Sequence, residues 1–508
     1  MSTWTGAVST DWNNAGNWAA GGTGTGIPSA TVDAIFSGTP TRPCVLGANR
    51  TCRALTFTAY TSTVDLATFT LTTNNNITFQ ADQSSRILGS TGILNSGASQ
   101  TITSNLGTWP LNYSISNVAS ITITLADNMI VFGSYSVSGG SRIINGFSLF
   151  VGTNLTSSAA HSGTTNFIMN GSGTYTGTGV CNLEIDTSGT IIVTGTVVFT
   201  RRFIVAITGT VTMTTANVSI QNATTIDING KTVGNLSHSF SISGTIVYLS
   251  DVYCANFSIG NGTNIYNGPG QIYASGNYVF GGTSSGSLIV NLIGTGTIGT
   301  GTMGLSCAIA SSGTYTLGAT LTLGTNISFT CTTLTLNAAT STVTINNGVT
   351  ISTLGINWYN ITIPASATIT INQLLSITNI LSLSGTATFT GTDGWTCNTL
   401  SLTAAGAFII TLQNAITYTT TISAQLTGGT NAARYTMTSN SGTIRAIWTL
   451  TNGASQAFTY VNGTRIDSSA GQTVYTFGGT ISTTPVGSET LNWLLLTPPR
   501  TVAYTFVN

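Results

Sequence analysis

Apolar and hydroxyl residues alternate through most of this sequence with a period of two. The runs Gly313-Thr314-Tyr315-Thr316-Leu317, Ala319-Thr320-Leu321-Thr322-Leu323 and Asn326-Ile327-Ser328-Phe329-Thr330 follow closely on one another. Thr333-Leu334-Thr335-Leu336 and Thr342-Val343-Thr344-Ile345 continue the series. Successive side chains on a strand point to opposite faces, so each run reads as a short strand with one buried and one wetted face. Gly, Asn or Ala closes each run, and turns come about every 8–12 residues. Thr, Val and Ile suit such strands because their branched carbons fit a pleated surface. No stretch of useful length carries a helical period.

The strands recur as units. Asn112 to Ile123 (NYSISNVASITI) aligns without a gap with Asn182 to Val193 (NLEIDTSGTIIV) and with Asn360 to Ile371 (NITIPASATITI). Each reads Asn, apolar, polar, apolar, a small-residue turn, then a second strand. Recurring units of this kind bury their apolar faces on one another by stacking. The spacing therefore predicts an all-β chain, an elongated parallel β-helix (β-solenoid). Its Thr and Asn side chains line up in ladders, with turn Asn residues bonding neighbouring coils. About 380 residues at roughly 22 per coil give about 17 coils, or about 80 Å at the usual strand spacing. A string of β-sandwiches would need Pro-rich linkers and a composition cycle of about 100 residues, and neither is visible.

Such a fold takes its backbone hydrogen bonds from the next coil, so it needs little charge. Charged residues are 5% of the 508, with 12 Lys+Arg against 12 Asp+Glu. A chain this poor in cations cannot neutralise a run of phosphates, which excludes nucleic acid as a partner. At 41% hydrophobic residues it is also too apolar to be simply disordered. Met1 to Trp18 has neither the basic start nor the apolar run of a signal peptide, and no stretch is long enough for a membrane helix. Two routes fit an extracellular composition without a signal: assembly in a host cytoplasm and release by lysis, as for virion proteins, or export by a pathway that needs no N-terminal signal; no membrane insertion is expected. Seven cysteines and two distant histidines, His161 and His238, give no metal spacing, so neither a metal nor a cofactor is expected. The thiols read as small buried hydrophobes, with a Cys44–Cys52 bridge as the alternative.

The ends differ from the middle. Residues 1–49 carry Trp4, Trp12 and Trp18 and read as a cap or attachment segment. Residues 50–438 read as the solenoid body. Residues 439–508 read as closing coils, with Trp448, Trp493, Arg445, Arg465, Arg500 and the prolines Pro485, Pro498 and Pro499. A solenoid end exposes core and an unpaired edge, and both need a cover. The opening, from Trp4 through Asp11-Trp12, Asn17-Trp18, Gly21-Gly22 and Ile27-Pro28 to Asp33-Ala34-Ile35-Phe36, resembles the start of β-helical repeat proteins of environmental bacteriophages and autotransporter-like adhesins. Arg50 to Phe57 and Trp358 to Ile363 resemble coils of the same group. Tyr460-Val461, Ile466-Asp467-Ser468-Ser469-Ala470-Gly471 and Asn492-Trp493 resemble its closing coil. The resemblance implies Trp4, Trp12, Trp18 and Asp33 as capping residues at one end. At the other it implies an Asp467 turn followed by a final strand at Trp493. It implies no shared catalytic residues.

Among the acids only Glu184 and Asp186 stand close together, at i and i+2 on one strand face opposite Leu183 and Ile185. Arg201 and Arg202, less than a coil later, are placed to pair with them. The aligned repeats hold Ser114 and Ser116, or Thr362 and Pro364, at the same positions, so the fold does not require the acids. The plain reading is a surface ion cluster; the sharper one is a catalytic pair for polysaccharide cleavage. Thr-X-Thr rows occur almost everywhere and read as the ordinary wet face of a solenoid rather than as an ice-binding face. Sequons at Asn76, Asn154, Asn222 and Asn360 are what this composition produces by chance. The Gly-rich run from Gly294 precedes no helix, so it makes no phosphate cradle. The expectation is a non-enzymatic structural protein, a fibre or spike of a bacteriophage. Its expected partners are other virion proteins, its own copies in a homotrimer, and host surface glycans. The alternatives are a depolymerase on the same scaffold, or a secreted adhesin or matrix fibre. Phe147, Leu149 and Val151 are expected on one strand face and Phe150 on the other, and Ile409-Ile410 on both faces, leaving apolar surface for a second copy.

Overall fold

The computed structural model describes residues 1–20, 26–81, 87–88, 91–105, 108–109, 112–115, 121–137, 142–144, 147–157, 166–177, 180–187, 189–205, 210–220, 224–238, 244–260, 262–309, 313–331, 336–337, 340–353, 355–427, 430, 432–481 and 490–496. Thr333 to Thr335, His161, Asp82, Asn222, Glu489, Gly21-Gly22, Pro485, Pro498, Pro499 and Arg500 lie outside the described residues, as do the side chains of Cys181 and Arg201. The chain forms two compact units. One is Met1–Ala255 with Asn267–Gly270, and the other is Asn256–Tyr266 with Gln271–Asn508. Each is a stack of parallel β-coils, a β-solenoid. Helix among the described residues amounts to one 3₁₀ turn, Ala15–Asn17.

In the first unit, Ser2–Trp4 pairs antiparallel with Trp18–Ala20 and parallel with Ala34–Ser37. From Ala34 on, the strand pairings described in this unit are parallel and join each coil to the next. Tyr113, Tyr135, Leu155, Tyr175 and Val193 face one another in succession, one from each coil. All five are fully buried. Tyr113 and Tyr135 stack with ring centroids 5.7 Å apart. A parallel register puts like residues on top of one another, and each buried side chain of this size contributes about 1.5–3 kcal/mol.

The second unit repeats the plan. Leu321, Val343, Ile361, Leu381, Leu400 and Ala424 form one inward column, again one from each coil. The advance from one member of a column to the next is unequal, shorter from Val343 to Ile361 than from Leu400 to Ala424. Part of the difference is taken up inside the strands, where the register shifts between Trp358 and Asn360, between Ile377 and Ile380 and between Cys397 and Thr399. Turn asparagines tie the coils as their ladder position predicts. Asn112 Oδ1 accepts from the Ser134 N–H at 2.7 Å in the first unit, and Asn347 Oδ1 from the Thr368 N–H at 2.8 Å in the second. At Gly286 the chain takes φ +123°, and a Cβ there would sit 2.0 Å from the Tyr266 carbonyl oxygen, so only glycine fits.

Two readings are corrected. Phe147 does not share the buried face of Leu149 and Val151. It is 39% exposed, because the strand is Ser148–Val151 and alternation begins only there. Phe150 does point outward, half-buried between Ile130 and Ile168 of the adjoining coils. The Cys44–Cys52 bridge is not formed. Both thiols are free and buried, Cys44 beside Val64 and Cys52 beside Thr73 in separate ladders. The four other described thiols, Cys254, Cys307, Cys331 and Cys397, are also buried. Burial pushes Cys52, Cys254 and Cys397 up to about 12, so these sulfurs stay protonated and unreactive.

Candidate functional site

Strand Val180–Ile185 carries Leu183 and Ile185 into the core and Glu184 outward; Asp186 follows, exposed. Arg202 Nη2 lies 3.4 Å from Glu184 Oε2, so the anticipated cation does pair with the acid. With the two side chains 43% and 27% exposed, this is a screened contact of at most about 1 kcal/mol. The register adds a group the linear spacing hides. Glu184, Ile204 and Asp227 form one outward column, so Asp227 stands two coils beyond Glu184, about 9–10 Å along the stack. That distance suits two carboxylates flanking a sugar and a water. Ile204 stands between them, however, and Glu184 is already engaged by Arg202.

The two ends hold the other singled-out residues. Trp4, Trp12 and Trp18 close on Phe36, with Trp12–Trp18 centroids 4.8 Å and Trp4–Trp18 centroids 5.0 Å apart. The Trp18 indole N–H donates to the Trp12 carbonyl at 2.8 Å, and that of Trp4 to the Arg42 carbonyl at 2.9 Å. All three rings are buried within their own chain, so any contact with a partner at this end falls to their neighbours. Asp33 takes a two-pronged hydrogen bond from Arg53, at 2.6 and 2.7 Å. These bonds hold its carboxyl below the usual range. In the second unit, Asp467 Oδ1 accepts from the backbone N–H and hydroxyl of Ser469 at 2.9 and 2.6 Å and forms the turn. Trp493 opens the strand Trp493–Leu496 and donates to Ser468 Oγ at 3.0 Å. Beside it, Tyr475, Phe477, Leu494 and Leu495 are each 39–48% exposed.

A further polar surface is a face of the second unit, whose strands the alternating pattern includes without marking a site. Seven successive strands of its ten-stranded sheet, Gly301–Met303, Thr320–Leu323, Thr342–Ile345, Asn357–Ile363, Leu375–Leu383, Trp395–Leu402 and Thr417–Leu426, contain no charged residue; Asp467 stands in the strand Ile466–Asp467 at the far end. One outward column runs Thr302, Thr322, Thr344, Thr362, Ser382, Ser401. The next runs Thr320, Thr342, Asn360, Ile380, Thr399, Ser423. Where Asn360 and Ile380 interrupt the hydroxyls, a shallow groove opens, lined by Thr342, Asn360, Ile361, Thr362, Ile380 and Ser382. The Asn360 amide is held in place: Nδ2 donates to Thr342 Oγ1 at 3.3 Å, and Oδ1 accepts from Asn379 Nδ2 at 2.9 Å. Among the described residues there is no cluster of three or more His, Cys, Asp or Glu able to hold a metal. Searches of protein-family models, curated proteins and solved structures find no match to this chain.

Proposed function

We propose that the chain is a non-enzymatic structural protein, a fibre or spike component of a bacteriophage particle that contributes to attachment or decoration. The observation that carries this reading is the uncharged outer face of the second unit, where hydroxyl and amide side chains repeat from coil to coil over seven strands. Such a surface is suited to holding and presenting rather than to proton transfer, which needs groups whose charge changes. The particle setting rests on the resemblance of the opening and closing segments to β-helical phage proteins. Other virion proteins are the expected neighbours. A homotrimer is favoured by outward apolar residues such as Ile409, 47% exposed while Ile410 is buried, and Ile422, 58% exposed.

Immunogold labelling of purified particles, with mass photometry of the isolated protein, tests this reading. Labelled particles and a species of three chains are expected. Unlabelled particles refute the virion assignment, and a single 52.2 kDa species refutes the trimer. The depolymerase alternative rests on Glu184, Asp186 and Asp227. It replaces the structural reading if the protein shortens host capsule or lipopolysaccharide and Glu184→Gln abolishes the shortening.

A further inference from the structure

We infer that the groove at Asn360 and Ile380 is a binding site for a neutral polysaccharide, whose chain lies across the coils along the two outward columns. The inference rests on the attachment reading above and names its surface and ligand class. Three properties of the site converge on this chemistry. The first is charge. The seven successive strands around the groove contain no Asp, Glu, Lys or Arg, so nothing in them compensates an anionic or cationic ligand for its lost hydration. Uncharged sugar hydroxyls lose little by comparison and regain it from Thr, Ser and Asn, each of which both donates and accepts.

The second is the local break in pattern. A hydroxyl column alone is the default wet face of a solenoid. Here two successive positions become Asn360 and Ile380, and the surface dips at that place. Ile380 is half-buried and outward on strand Leu375–Leu383. It supplies an apolar floor for the C–H face of a pyranose ring, flanked by the hydroxyls of Thr362 and Ser382. The third is orientation. Asn360 uses one amide hydrogen on Thr342 and one carbonyl lone pair on Asn379. Those bonds fix its rotamer and leave a second hydrogen and lone pair for a ligand. Asn379 touches no ligand in this arrangement and is a positioning residue. Along the stack the groups repeat at about 4.8 Å, on the order of the advance of an extended sugar chain per residue. One ring therefore meets the Asn360–Ile380 step while its neighbours meet Thr342 and Thr399.

Retention of the full-length protein on immobilised polysaccharides tests the site. The probes are a neutral glucan, a neutral galactan and a uronic-acid polymer, each at low and at high salt. The variants are Ile380→Lys, Asn360→Ala and, in the first unit, Thr176→Lys. Circular dichroism confirms that each is folded. The site predicts retention on a neutral polymer that is unchanged by salt. It predicts at least tenfold weaker retention in Ile380→Lys, a smaller loss in Asn360→Ala and none in Thr176→Lys. It also predicts protection of 357–383 from hydrogen exchange when the neutral polymer is present. Equal retention of all variants, or retention only on the uronic-acid polymer, overturns the site and leaves the attachment reading standing. No retention on any polymer overturns the site, while immunogold labelling of particles decides the structural reading separately.

Discussion

Acidification should loosen the first unit through a single side chain, His238. Its ring is fully buried on strand Thr232–His238, and the Tyr248 hydroxyl meets Nε2 at 2.6 Å. Burial penalises the imidazolium and lowers the pKa from 6.5 to about 3. A base whose folded pKa is depressed binds protons more readily when unfolded. Its contribution is therefore intact above pH 6.5 and is lost progressively as the pH falls toward 3. Between pH 6.5 and 4.5 the loss steepens toward about 1.4 kcal/mol per unit and amounts to roughly 2 kcal/mol in all. The chain has only 2 histidines, so His238 dominates the upper part of this window. Hydrogen exchange of the amides in Thr232–His238 and Gly244–Tyr248, corrected for intrinsic rates, measures the local opening free energy at pH 6.5, 5.5 and 4.5. The double variant His238→Leu, Tyr248→Phe removes both polar partners and should flatten the profile. A flat wild-type profile, or an undiminished slope in the double variant, refutes the assignment.

Gly286→Ala should cost of the order of 2–3 kcal/mol, since both its φ and the Tyr266 carbonyl oppose a Cβ; urea unfolding of the variant, monitored by circular dichroism, reads the loss. Trp18→Ala removes the ring that bridges Trp4 and Trp12 and should cost about 3–5 kcal/mol; the thermal midpoint should fall, and light scattering should show association through the opened end. The six described thiols should resist a thiol-specific chromogenic reagent at pH 8 in the native protein and react on unfolding; fast labelling of any of them without unfolding contradicts their burial.

Alternation along a strand is a local property of the backbone, and for that reason the sequence by itself determined the all-β class and the inward residues of its clearest alternating runs. The buried Val343 and Ile345 between outward Thr342 and Thr344 are legible without a fold. So is the outward Glu184 between Leu183 and Ile185, and the Asn–strand–turn–strand unit marks where coils turn. Phe147 shows the limit, because the period says which residues alternate but not where a strand begins. What stands above what was decided only by the tertiary structure. Coil length is not constant along the inward columns: the step from Tyr175 to Val193 is shorter than that from Tyr113 to Tyr135. Asp227 therefore falls into line two coils from Glu184, and Ile380 comes to rest beside Asn360. Each of these neighbours depends on hydrogen bonds between coils, whose register is settled by the fit of the buried columns rather than by any local preference of the residues involved.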